Sequence, residues 1–269
     1  MKHPEYQYLK LIAEILKNGK SKPTRGIVGI KSIFGYQMKF DLRYGFPLLT
    51  TKKMPFNILM HEMLWFVSGS SNIQYLQDHK IHYWDEFADK DLNLGPVYGV
   101  QWRHWQDPKG GEIDQLQWAI DQIKTNPHSK GIIVSAWNVA DLEEMRLPPC
   151  HTMFQFDVTK GKLSMQLYQR SSDVFLGLPF NIAQYAMLLQ MVAHITGLEA
   201  RELTVTIGSA HLYDNHLEAA REQVVRKPTA FPKLKIVGDV KTIDDFRAEN
   251  FELEGYEAQA HIKAPLVIL

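Results

Sequence analysis

The segment NILMHEMLWFVSG, residues 57–69, is almost wholly apolar over the length of a helix. A helix that is apolar all round is buried rather than laid on a surface, so the rest of the chain must close around it. Helices and strands are both on hand for that. EYQYLKLIAEILK (5–17) carries apolar residues at helical spacing and runs into Asn18-Gly19, a helix stop. IDQLQWAIDQIKTNP (113–127) is amphipathic and halts at a proline. NIAQYAMLLQMVAHITG (181–197) reads as the longest helix, with Asn181 as its N-cap and Gly197 just past its end. IKSIFGYQMKFDL (30–42), GIIVSAWNV (131–139), TMFQFDV (152–158), KLSMQLYQRS (162–171) and LTVTIGSAHLY (203–213) read as strands, with hairpin-like neighbours between 152 and 170. Strands and helices are interspersed, with no repeat or linker to divide them. The expectation is an α+β (mixed α/β) fold, one domain over 1–269, with one large mixed sheet flanked by helices.

Composition narrows the function classes. At 45% hydrophobic and 22% charged residues a sizeable core is available and nothing reads as disordered. Lys+Arg and Asp+Glu are both 30, which argues against a broad electrostatic grip on nucleic acid or a membrane surface. One cysteine rules out an internal disulfide and a multi-cysteine metal site, pointing to a reducing compartment. No stretch reaches the roughly 18 apolar residues of a membrane span. The first twenty residues show no signal-peptide pattern, so the cytosol is the expected location.

That cysteine, Cys150, sits in LPPCHTMFQF (147–156). It is either a buried small hydrophobe or a nucleophile. Pro148 and Pro149 fix φ twice and stiffen the approach. A nucleophilic thiol needs nearby positive charge to ionise. His151 is adjacent, but neighbours on a strand face opposite ways, so it reads as a structural hydrogen-bonding histidine. Arg170, in YQRSSDVFLGLPFN (168–181), sits where a strand emerges beside Ser171. It is either an exposed loop residue or an anion ligand, since guanidinium binds phosphate through paired hydrogen bonds. From an adjacent strand its charge would lower the Cys150 pKa. Glu62 lies within the apolar helix. With His61 it marks a solvent stripe, or it is buried with its pKa raised toward neutrality, as suits a general acid or base. His211 and Tyr213, two apart on a strand, face one side together, which suits a sugar hydroxyl. His211, Asp214 and His216 match no standard zinc spacing, so no metal is expected. The aromatic-rich segment 82–105 is either core packing or a stacking surface for a flat ring.

Taken in order, SIFGYQMKF, GFPLLTTKK, WDEFAD, LGPVYGVQWR, IIVSAWN, LPPCH, QLYQRSSDVFLGLPFNIAQYA, AHLYDNH and IKAP resemble thymidylate synthase over almost the whole chain. The resemblance implies conversion of dUMP to dTMP with 5,10-methylenetetrahydrofolate as co-substrate, the donor of carbon and hydride. It implies Cys150 as the nucleophile on pyrimidine C6, Glu62 as the proton carrier around the ring, Tyr98 at proton removal from C5, and Asn181 reading the uracil edge. Arg170 and Asp173 complete the catalytic set. His211 and Tyr213 would hold the ribose, with Arg25, Arg170 and Ser171 on the phosphate. Trp84, Leu147, Asp173, Gly177, Phe180 and the tail ending in Leu269 would form the folate side, the tail acting as a lid. A homodimer with a shared active site follows too, with no membrane or nucleic-acid partner.

The chain departs from the family pattern near the phosphate. Where the partner subunit lends two consecutive arginines, this chain has Lys130 and Gly131. Hydrogen bonds to charged groups contribute about 1.5–3 kcal/mol each. The family's R-T-G-x-G-T becomes RGIVGIKS, placing Ile27, Val28 and Ile30 in the loop, and Ser209 stands where aspartate is usual. The alternatives are a synthase with altered phosphate recognition, a pyrimidine nucleotide C5-hydroxymethylase, and a fold retained for binding, RNA included.

Overall fold

The computed structural model describes residues 2–24 and 26–267. Arg25 and Leu269, named above, lie outside the described residues. Helix α1 (Tyr6–Asn18) buries Tyr8, Leu9, Leu11, Ile12 and Ile15 on one face. Just before it Glu5 is fully buried, and its carboxylate is satisfied by four donors, the backbone N–H and hydroxyl of Thr50 and of Thr51, at 2.6–2.9 Å. A buried carboxylate is tolerated only with such compensation. The clamp ties α1 to the segment leading into α2 (Phe56–Val67), the apolar helix, which is buried as its composition demands.

Six strands form one sheet: β1 (Lys20–Lys22), β2 (Ile30–Asp41), β3 (Ile133–Ser135), β4 (His151–Thr159), β5 (Lys162–Asp173) and β6 (Glu199–Tyr213). The order is β1-β2-β6-β5-β4-β3. Every pair is antiparallel except β5–β6, which is parallel and so needs a crossover. Helix α4 (Gly177–Thr196) supplies it, α3 being Gln115–Thr125 and α5 Leu217–Val224. The β4–β5 hairpin turns at Lys160 and Gly161, both with positive φ, as a tight two-residue turn demands. Along β5, Leu163, Met165, Leu167 and Gln169 are buried while Ser164, Gln166 and Tyr168 alternate outward. The inward face packs against α4, which itself packs against α2. No helix among the described residues is long and apolar enough to cross a membrane.

Three expectations are corrected. Asn181 is not the N-cap: α4 starts at Gly177, because Pro179 sits in its first turn, where the missing N–H costs nothing. Gly197 does end the helix, at φ 69°. The strand read over 162–171 does not stop at Ser171: β5 runs on to Asp173, since Ser172 and Asp173 keep pairing with Ala210 and His211. The strand read over 131–139 is only three residues long.

Candidate active site

The prolines deliver Cys150 to the start of β4, half-buried. Its backbone N–H donates to the Tyr98 hydroxyl at 3.1 Å, and its carbonyl accepts from Arg170 N at 2.8 Å. The Arg170 guanidinium turns back on the same turn, donating to the carbonyls of Pro149 (2.8 Å) and Pro148 (2.6 Å). The sequence argument expected Arg170 to lower the thiol pKa. It does pull in that direction, as does Tyr98, but burial is the larger effect and leaves the thiol above its ordinary value. The resting nucleophile candidate is therefore a thiol, in place but not yet ionised.

Tyr98 is itself held under strain. It has φ 38° and ψ −98°, outside the regions open to an ordinary residue. Its ring stacks on His151 at 4.2 Å, and the following Gly99 lies so close to the Phe66 carbonyl that a Cβ would stand 2.1 Å from it. His151 is buried, bonds Tyr185 through Nδ1 at 2.7 Å, and burial drives its pKa down to about 3. It stays neutral and serves as wall rather than base, as its strand position suggested.

Glu62 is buried, with no solvent stripe on its side of α2. It accepts from Trp84 Nε1 at 2.6 Å and Gln184 Nε2 at 2.5 Å. Burial raises its pKa and outweighs these bonds, which favour the charged form. Asn181 Oδ1 accepts from Gln169 Nε2 at 2.8 Å, and its Nδ2 donates to Gln184 Oε1 at 3.4 Å. Gln169, Asn181, Gln184, Glu62 and Trp84 thus form a polar track across β5, α4 and α2. Asp173 closes β5, its Oδ1 accepting from the N–H of Phe175 (2.9 Å) and Leu176 (3.2 Å). His211 and Tyr213 meet edge to face at 5.1 Å. Burial lowers the His211 pKa and, as the largest cause, pushes Tyr213 up to about 12. Both are neutral donor-acceptors.

These residues surround a cleft of about 420 Å³. Cys150, Glu62, Tyr98, Asn181, Asp173, Ser171 and Tyr213 line it, together with Trp84, Leu147, Gly177 and Phe180. Arg170 and His211 stand behind the lining, and Lys130 is exposed and outside it. Sequence reasoning missed Tyr83, Phe66, Ser172 and Leu176, while Leu266 and Val267 of the expected lid also line the cleft. It also missed the two glutamines. Gln184 carried a signal: a polar residue three positions after Asn181 in an apolar helix lies on the same face. A second cavity, about 500 Å³, lies beyond α2 against His61, Tyr75, His79 and Arg247, and contains none of the expected site residues. Among the described residues no group of three or more His, Cys, Asp or Glu converges as a metal site.

The arrangement offers a rigidly held thiol, a buried carboxylate with raised pKa, and an oriented amide in one apolar-walled cleft. The profile of the family described as thymidylate synthase matches residues 6–268.

Proposed function

Because the chain belongs to the thymidylate synthase family, we propose that it catalyses reductive methylation of dUMP to dTMP, with 5,10-methylenetetrahydrofolate supplying the one-carbon unit and the hydride. The observation that carries this reading is Cys150 sharing one cleft with Glu62 and Asn181. Cys150 adds as thiolate to C6 of the pyrimidine. The new C–S bond draws the ring's double-bond electrons toward C5 and the C4 carbonyl, making C5 the nucleophile for the incoming carbon. Dividing the reaction through a covalent intermediate lowers each barrier. The thiol must lose its proton to solvent before it adds, and the Arg170 charge and the Tyr98 hydroxyl, which already favour the thiolate, lower the cost of doing so. Asn181 presents one donor and one acceptor to the uracil edge, with Gln169 and Gln184 fixing which faces which. Glu62 carries protons to and from the C4 oxygen, as its raised pKa suits. Tyr98 stands by the C5 proton. His211 and Tyr213 take the ribose, with Ser171, Arg170 and Arg25 on the phosphate.

The residues present suit a folate. Trp84, Phe180 and Leu147 form apolar and aromatic walls, and the Asp173 carboxylate faces the cleft. The tail, through Leu266 and Val267, excludes water, which favours hydride delivery over hydroxylation. We read residues 1–269 as one catalytic domain of a cytoplasmic homodimer that binds neither membrane nor nucleic acid. On the outer sheet face Gln37 and Gln166 both donate to Thr206 beside exposed Tyr168, a surface a second copy can cover. In that dimer the partner contributes Lys130 to the phosphate.

Two measurements test the proposal. With 5-fluoro-dUMP and methylenetetrahydrofolate, mass spectrometry of the intact protein should show a covalent adduct on Cys150. Product analysis with dUMP, dCMP and deoxyuridine in parallel should show methylation of dUMP; a hydroxymethylated product or a preference for dCMP would overturn it.

A further inference from the structure

The last turn before the cleft places a histidine that the chemistry above leaves unused. His216 is wholly buried in the short turn between β6 and α5. Its Nε2 bonds the Pro265 carbonyl at 2.8 Å, and the next two tail residues, Leu266 and Val267, line the cleft. Its Nδ1 has no hydrogen-bond partner and faces Asp173 Oδ1 at 3.6 Å. A carbonyl only accepts, so Nε2 carries the hydrogen. A neutral ring would then aim the Nδ1 lone pair at a carboxylate, acceptor against acceptor. A second proton, on Nδ1, turns this clash into a charge-assisted donor–acceptor pair.

We propose that doubly protonated His216 is the latch that holds the C-terminal tail over the cleft, tying tail closure to the charge of Asp173. The surroundings of the ring fit that state. Asp173 faces it from the end of β5, and the rings of Tyr213 and Phe175 pack at 5.4 and 5.7 Å. One cationic group opposes it, buried Lys52, which donates to the Phe175 carbonyl and whose pKa burial lowers to about 7; His211 on β6 is kept neutral by burial. Burial also works against the charge on His216. The Asp173 carboxylate facing Nδ1, with the Pro265 carbonyl, outweighs it and lifts the imidazole above 6.5. His216 thus acts as a positioning residue in two directions. It holds the tail through a carbonyl, and it steadies the Asp173 oxygen that also accepts from Phe175 and Leu176.

The sign follows from the geometry. The closed tail binds a proton that the open tail holds less tightly. Closure is therefore strongest below the ordinary imidazole value of 6.5 and is lost as pH rises through the raised one. The inference rests on the tail covering this cleft, not on which reaction occurs there, so its first tests need no substrate. In the full-length protein, carboxypeptidase release of the terminal residues, normalised to a free peptide of the same sequence, should accelerate about tenfold between pH 6 and 9. His216→Gln, checked for folding by circular dichroism, keeps one donor for Pro265 but no charge. Its tail should be released at the fast rate at every pH, and its KM for methylenetetrahydrofolate should rise more than its kcat falls. Long-range proton–nitrogen NMR of the wild type decides the matter even if that variant does not fold. Both His216 ring nitrogens protonated at pH 6 support the latch; a singly protonated ring there, or tail release independent of pH, overturns it.

Discussion

The base of the cleft and the segments expected at the phosphate are built on different principles. At the base end, Cys150, Tyr98, Glu62 and Asn181 are held by bonds from several elements at once, and burial displaces the pKa values of the three that titrate. At the expected phosphate end, outside the cleft lining, Lys130 and Gly131 are exposed, Ile27 is fully exposed, and the segment carrying Ile27 is held by local bonds from Thr24 to Gly26 and Val28. The chain keeps every expected residue at the first end and departs from the family pattern at the second. Buried polar groups cost several kcal/mol when a partner is removed, whereas exposed charges contribute about 0–1 kcal/mol and are readily changed. Chemistry tolerates little change where recognition of a charge tolerates much.

Three variants put that contrast under strain, the largest effect first. Cys150→Ala removes the nucleophile and should lower kcat by at least about 10³-fold while leaving dUMP binding within a few-fold; measurable turnover near wild type would end the covalent reading. Glu62→Gln should lower kcat by about 10²-fold and flatten the acidic limb of the pH–rate profile. Because burial raises the Glu62 pKa above 4.5, the folded protein holds a proton there that the unfolded chain has released. Stability therefore falls as pH rises across that window, and urea titrations of the variant should lose this slope. The exposed end should respond least. Lys130→Arg with Gly131→Arg, for which Gly131 has open space with only Ser129 Oγ at 3.7 Å, should lower the dUMP KM by about tenfold with kcat unchanged. An unchanged KM would mean that the phosphate end is not weakened by its departures.

The contrast also marks what could be read from the chain alone. The apolar run at 57–69 required burial, and period-two and helical patterns located the long strands and helices. Boundaries failed where local signals conflicted. Asn181 looked like a cap because capping residues are recognised by type, but Pro179 let the helix begin a turn earlier. The three-residue β3 looked longer because Ile132, Val134 and Ala136 are buried in strand and loop alike.

By itself the sequence determined the fold class, the family and the reactive residues Cys150, Glu62, Tyr98, Asn181 and Asp173 that line the cleft, since long ordered motifs and hydrophobic periods are properties of the chain. Only the tertiary structure decided their charge states and their roles toward one another. Burial outweighs Arg170 at Cys150, Gln169 and Gln184 orient Asn181, and His216 reaches the tail. Desolvation and hydrogen bonding depend on neighbours brought from distant parts of the chain, and no spacing along the sequence encodes how closely they pack.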